Sequence, residues 1–296
     1  MKDTHASHKI IDLNNRKAEK ARTMRTRRKD HHHPKIITIT SGKGGVGKTN
    51  IVANLGYALG RFGKRVLIYD ADLGLGNLDV LLGLAPQYNL SHVINGEKQL
   101  CDVVVDGPGR MKILPAASGI QEMTCLSNQE RHLMFSQLAS FVMDFDIMLI
   151  DTAAGISSNV LYFNINADEI FVVATPEPTS ITDAYALMKV LSVKHGTANF
   201  KLIVNSAASE EEAREVFDQI NLVAGRFLDI SIEYFGSIPL DANIPKGVRR
   251  QKAVCEMAPL AKASRCFAAL ARKVANSPLL QENRWPSKWG LTESPM

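Results

Sequence analysis

Two lysines, a threonine and four glycines fall within eight residues of this chain, in the stretch "GKGGVGKT" from Gly42 to Thr49. The stretch matches G-x-x-x-x-G-K-[ST] in full, with an apolar run before it and a helical pattern after it. Glycine at 44, 45 and 47 lets the backbone turn successive N–H groups toward phosphate oxygens. A helix starting there adds partial positive charge at the same point. Lys48 is placed to meet the β- and γ-phosphates of a nucleotide, and the Thr49 hydroxyl to ligate Mg²⁺. Gly42, Val46 and Asn50 complete the backbone around the phosphates. Lys43 is not required by the pattern.

Carboxylates recur at two further places. Asp70 and Asp72 stand in "LIYDADLGLGN", and Asp151 ends the apolar run of "MLIDTAAG". An aspartate closing such a run is suited to hold Mg²⁺ through water. Asp70 and Asp72 share a face if the strand continues through them. Asp70 reads equally well as a cap or a structural ion-pair partner. The glycine-rich segment after Asp72, with Asn77, and the turn at Gly155 are the natural places for nucleotide-dependent movement. No glutamate stands beside Asp151 as a strong base, which points to slow hydrolysis.

These motifs need strands to aim them. Short apolar runs at 35–40, 65–70, 111–118, 146–155, 168–178, 200–207 and 232–241 read as strands. Helical patterns follow the glycine loop as far as Phe62, and run from Ser127 to Asp144, from Ser180 to His195, from Ser209 onward, and from Leu260 to Ala275. Ser127 with Glu130 has the spacing of a capping box. The alternation predicts an α/β fold, a mostly parallel, doubly wound sheet with helices on both faces. Ligands bind at the carboxyl ends of such strands, where every motif above falls.

The 296 residues suit one large domain with appendages. No apolar run is long enough to span a bilayer, and no apolar signal core opens the chain. The four cysteines, at 101, 125, 255 and 266, lack metal-site spacing and read as thiols in a reducing cytoplasm. Residues 1–35 hold eleven Lys/Arg against four Asp/Glu, so the net charge of +5 belongs to an N-terminal arm.

"KGGVGKT" resembles the deviant Walker A loop of the MinD/ParA family of ATPases, and the resemblance extends over about residues 35–277. It implies ATP and Mg²⁺ as ligands and a P-loop fold of the MinD type. It implies that Lys43 crosses a homodimer interface to the partner's nucleotide, with two ATP molecules sandwiched between subunits. Asp72 then contacts magnesium-bound water and helps orient the attacking water. Asn77 becomes a switch residue near the partner, and Gly155 part of the second switch. Asn205, in "LIVNSA", reads the adenine edge, and the backbone from Ile238 to Asp241, with Pro239, forms the other wall. Family members usually read D-x-P-A-G where this chain has D-T-A-A-G.

"DADLGLGNLDVLLGL", "PAASGIQEM", "DTAAGIS" and "EPTSITDAYALMKVL" resemble the flagellar-number branch of that family, FlhG or FleN. This implies an ATP-bound dimer that restrains a FleQ-type flagellar transcription activator. Some members of the branch also stimulate the GTPase FlhF through an N-terminal motif that is not found in this arm. A ParA-like, DNA-binding partition ATPase and a MinD-like, membrane-associated positioning ATPase are the rival expectations.

The arm, residues 1–34, has too few apolar residues to fold alone. Arg22, Arg25, Arg27, Arg28 and Lys29 suit a solvated arm, a protein contact or an anionic surface; without interleaved aromatics they argue against direct DNA binding. His31, His32 and His33 lack the fixed surroundings a metal needs. Phe267, Leu270, Ala271 and Val274 form a stripe that reads as a closing core helix. The tail, residues 278–296, carries Trp285 and Trp289, which suit peripheral contact with the inner membrane or, equally, an interaction surface for the transcription activator, but Pro286 interrupts any helix. The cytoplasm or the cell pole is the expected location.

Overall fold

Strand β1 (Lys35–Ser41) is buried along its whole length. Ile36 belongs to one apolar layer, Ile37 and Ile39 to the other, as the two-residue period of a strand requires. A strand covered on both faces belongs in the middle of a sheet. β1 lies between β5 (Ile147–Ala154) and β6 (Glu169–Ala174), parallel to both. The computed structural model describes residues 34–72, 76–116 and 137–277.

The other strands are β2 (Val66–Ala71), β3 (Val105–Asp106), β4 (Lys112–Leu114), β7 (Asn199–Ala207) and β8 (Ser231–Pro239). They form one eight-stranded sheet in the order β3-β4-β2-β5-β1-β6-β7-β8. Only β3, at the edge, is antiparallel to its neighbour. The register sets Asp70 of β2 beside Asp151 of β5.

Among the described residues, five long helices cover the two faces: α1 (Lys48–Arg61), α2 (Ser158–Asn166), α3 (Pro178–His195), α4 (Glu210–Phe227) and α5 (Lys262–Asn276). Leu187 and Leu191 of α3 and Val216 and Ile220 of α4 pack on Leu202 and Val204 of β7 and their neighbours. On the other face, Leu55 and Leu59 of α1 join Phe267, Leu270, Ala271 and Val274 of α5 over Leu149 and Phe171. The expected stripe on α5 is therefore core. Fully burying a side chain of this size contributes about 1.5–3 kcal/mol.

Local signals set the helix ends. Ser209 caps α4 by accepting from the Glu212 N–H, and Pro178 takes the first helical position of α3. α3 starts two residues earlier than the pattern from Ser180 suggests. The strand expected over 111–118 is limited to Lys112–Leu114 among the described residues. Of the helix expected from Ser127, residues 137–142 are described as helical, and its capping box lies outside the described residues. α2 is not apparent from the sequence, because "SNVLYFNIN" mixes asparagines with apolar residues. One of these, Asn164, is buried and accepts from Thr38 Oγ1 at 2.8 Å and donates to Thr40 Oγ1 at 3.2 Å, tying α2 to β1. Among the described residues no helix is long and apolar enough to cross a membrane. Cys101, Cys255 and Cys266 are free thiols, and burial pushes the Cys255 thiol up to about 12.

Candidate nucleotide-binding site

The chain leaves β1 at Ser41, runs through the glycine loop and enters α1 at Lys48. Gly47 holds φ +94° as the residue preceding the helix, and no side chain caps the first turn. Uncapped first-turn N–H groups with no acidic residue among them form an anion site. Gly47 is required on a second count: a Cβ there would overlap the Asn205 amide nitrogen. Gly42 lies close against the Asp183 carbonyl of α3, while Gly45 has open space beside it and a Cβ at Gly44 would only touch the Ala154 methyl. Val46 is buried, and Thr49 and Asn50 are half-buried in the first turn of α1.

Lys48 is almost fully buried and donates to Ser41 Oγ at 2.9 Å. Ser41 Oγ in turn donates to the Lys43 carbonyl at 2.7 Å. Burial lowers the Lys48 pKa, while the Asp151 and Asp72 carboxylates act to raise it. Asp151 sits in the sheet at 2% exposure, and burial pushes its carboxyl up to about 7. The Thr49 hydroxyl and the Lys48 ammonium pull that value down, and Asp72 adds to the rise. A lysine, a threonine and two aspartates from three separate segments thus act on one another.

Asp151 Oδ1 is buried without a hydrogen-bond partner. An orphaned carboxylate oxygen beside a threonine hydroxyl, at a loop shaped for phosphate, fits Mg²⁺, which takes only one or two protein oxygens besides phosphate and water. Consistently, no three His, Cys, Asp or Glu among the described residues converge into an all-protein metal site.

Asp70 is buried at 2% exposure and accepts from the Asp72 N–H at 3.2 Å and the Leu78 N–H at 3.3 Å. It therefore joins the residues on either side of the 73–75 segment, as the cap reading of this residue expects. Burial and the neighbouring Asp151 raise its pKa well above the ordinary carboxylate value. Asp72, just past the end of β2, is half-buried, and Asn77 is exposed immediately before the short helix Leu78–Leu81. Gly155 has φ +91°, a conformation that favours glycine, and its N–H donates to the Ser41 carbonyl at 2.9 Å. The turn after β5 is thus joined to the residue that begins the phosphate loop.

Lys43 lies outside this cluster. Its ammonium pairs with Glu177 and donates to Thr179 Oγ1 at 2.8 Å, both at the head of α3 in the same chain. Asn205 is buried at the end of β7 and donates from Nδ2 to the Val46 carbonyl at 2.7 Å. Its amide touches the phosphate loop itself, a contact the expected role at the adenine does not include. Pro239 ends β8, in register with Ala207, two residues past Asn205.

Sequence reasoning missed Ser41, Glu177 and Thr179. Nothing in the spacing marks Ser41, since serine before a glycine loop is ordinary. Glu177 and Thr179 carried a detectable signal, the T-P-E-P-T run opening a helix at the carboxyl edge of a strand.

Comparison with known proteins is consistent with this geometry. Residues 37–254 match the family model described as CobQ/CobB/MinD/ParA nucleotide binding domain. The chain is 46% identical over 248 residues to the antiactivator FleN of Pseudomonas aeruginosa, covering 84% of this chain and 89% of the relative. It is 35% identical over 226 residues to the flagellum site-determining protein YlxH of Helicobacter pylori, covering 76% of each. Among solved structures, the septum site-determining protein MinD of Pyrococcus horikoshii, complexed with Mg-ADP, superposes with a TM-score of 0.68 at 28% identity, over 82% of this chain and 96% of that one.

Proposed function

The chain belongs to the CobQ/CobB/MinD/ParA family of nucleotide-binding proteins, and from that membership we propose that it is an ATP-driven dimeric switch restraining a FleQ-type flagellar transcription activator. The observation that carries the regulatory half is the similarity to the antiactivator FleN over most of both chains. The similarity to a flagellum site-determining protein supports the same flagellar setting. The catalytic half is supported by the meeting of Lys48, Thr49, Asp72 and Asp151 at the uncapped head of α1.

The loop N–H groups of Gly42–Thr49, with Asn50 behind them, hold the phosphates of ATP, and Lys48 neutralises them. Thr49 would ligate Mg²⁺, with Asp151 and Asp72 holding it through water, and the ion when bound offsets charge on the phosphate oxygens. Asp72 orients the attacking water. Lys43 serves the partner subunit's nucleotide, so hydrolysis depends on dimerisation. Asn205 and the backbone at Pro239 receive the base. Asn77 and Gly155 belong to the two segments that answer to nucleotide state. Hydrolysis is slow, since no strong base stands beside Asp151, and it resets the switch. Residues 35–277 make up the ATPase domain, with residues 1–34 and 278–296 as a basic arm and a tail. The switch works in the cytoplasm, with the tail available for peripheral membrane contact or for contact with the activator. The arm lacks the motif that would mark stimulation of FlhF.

The deciding experiment follows the activator's own ATPase or transcription as this chain is added with ATP or with ADP. Restraint with ATP alone is expected, and Lys48→Ala abolishes it together with nucleotide binding. Equal effect of both nucleotides, or none, would sink the switch reading. Asp72→Ala is expected to bind ATP and stay dimeric; turnover at the wild-type rate would remove Asp72 from the mechanism.

A further inference from the structure

Between β8 and α5 the chain forms two short helices, Asn243–Arg249 and Val254–Met257. The Asp241 carboxylate joins the two ends of this excursion, accepting from the Asn243 N–H at 2.8 Å and the Ala263 N–H at 3.0 Å. Its turn, "KGVRRQK" at 246–252, has four basic side chains in seven residues, all exposed. Lys252 pairs with Glu256 at 3.7 Å. Lys246, Arg249 and Arg250 form no ion pair among the described residues.

The turn is held rigidly. Gly247 has no room for a Cβ beside the Lys252 carbonyl, and Gln251 is fixed at φ +53°. Gln251 donates from Nε2 to the Val80 carbonyl at 2.9 Å and packs against Gly83. The segment it grips begins at Leu78, whose N–H is held by Asp70 inside the nucleotide site. The basic turn is therefore mounted on the stretch of chain that leads out of that site.

The surroundings select the partner's chemistry. Val80, Val248, Leu240 and Leu260 are exposed in the same two segments, Leu260 to 85%. Residues 36–296 hold 24 Lys/Arg against 26 Asp/Glu, so this is a local positive patch on a slightly acidic body. No aromatic residue between 240 and 261 offers a platform for bases. Guanidinium groups beside aliphatic side chains fit carboxylates beside apolar anchors on a protein.

We propose that the face formed by Lys246, Arg249 and Arg250 with Val80 and Val248 docks an acidic, apolar-anchored protein segment of the restrained activator. The assignment rests on the antiactivator reading above.

The test is affinity of the full chain with ATP for the purified FleQ-type activator of the same organism, comparing wild type with Arg249→Glu/Arg250→Glu and Arg249→Lys/Arg250→Lys. The reversed pair should lose roughly tenfold or more, because it sets like charges against each other across the interface. The lysine pair should bind more weakly than wild type but more tightly than the reversed pair, since charge is kept while the guanidinium fork is lost. ATP-dependent dimerisation and ATP turnover should be unchanged in both. Unchanged activator affinity in the reversed pair overturns this surface and leaves the antiactivator reading standing. No binding by wild type overturns both. Loss of dimerisation assigns the face to contact between copies, and loss of duplex DNA binding with activator binding intact assigns it to nucleic acid; either overturns the proposal.

Discussion

Lys43 and Glu177 are partners within one chain: the lysine of the phosphate loop lies on the acidic residue that precedes α3, with Thr179 as its second contact. A lysine so placed must leave its own helix head before it can serve another subunit. The pair is partly exposed, so its strength is about 0.2–1 kcal/mol. Glu177→Gln is therefore expected to tighten ATP-dependent dimerisation by a few-fold, read by light scattering or sedimentation over a concentration series. Lys43→Ala should stay monomeric in either background. If Glu177→Gln weakens the dimer instead, Glu177 contributes to the interface and does not restrain Lys43.

Asn205 has its amide nitrogen committed to the Val46 carbonyl, which leaves Oδ1 as the atom to face a base. An acceptor matches the exocyclic amine of adenine and opposes the oxygen of guanine. Asn205→Ala should weaken ATP binding by about tenfold and narrow the preference for ATP over GTP, as loss of a buried polar partner does. Competition between the two nucleotides at equilibrium measures this. Preserved preference with weakened binding would reduce Asn205 to a brace for the loop.

Asp151 gives a pH signature to the ligand-free protein. Its folded pKa is about 7, raised by burial from an ordinary value near 4. The folded state therefore binds a proton that the unfolded chain releases in that window. Stability is highest below about pH 4 on this account, falls as pH rises toward 7, and stays low above it. Asp151→Asn should remove this component and raise the thermal midpoint at pH 8 more than at pH 5. An equal shift at both values would mean that the carboxylate is relieved in solution.

Asn164 ties α2 to the central strand through its amide. Replacing it with alanine leaves the hydroxyls of Thr38 and Thr40 buried without that partner. The expected loss is about 1–3 kcal/mol in denaturant unfolding. A loss under half of this would mean that Thr38 finds another acceptor and Thr40 another donor.

The sheet was legible because its central strands are apolar on both faces and each ends in a polar turn. Lys35–Ser41 and Ile147–Ala154 are the clearest examples. α2 was hidden because its key residue, Asn164, is a polar group buried by partners far away in sequence. The short helices from Leu78 to Val103 were hidden for a different reason: four or five residues are too few to display a period. In the site, the phosphate loop was readable because backbone conformation dictates its glycines. The partners of Lys43 and Lys48 were not, since side-chain pairing depends on which strands become neighbours. Asp70 could be assigned only when both N–H groups it accepts from were in view.

Ser41 has a bearing on how any set of substitutions here will combine. Its hydroxyl accepts from Lys48 and donates to the Lys43 carbonyl, and its own carbonyl accepts from Gly155. Three parts of the site thus share one residue, so the effects of changing them will not add. A second lesion at Lys48 should do less damage in a Ser41→Ala background than alone, because the bond it removes is already gone, whereas the Gly155 contact, made to the backbone carbonyl, survives that substitution. Apportioning the energy of this site residue by residue would count the same bonds twice.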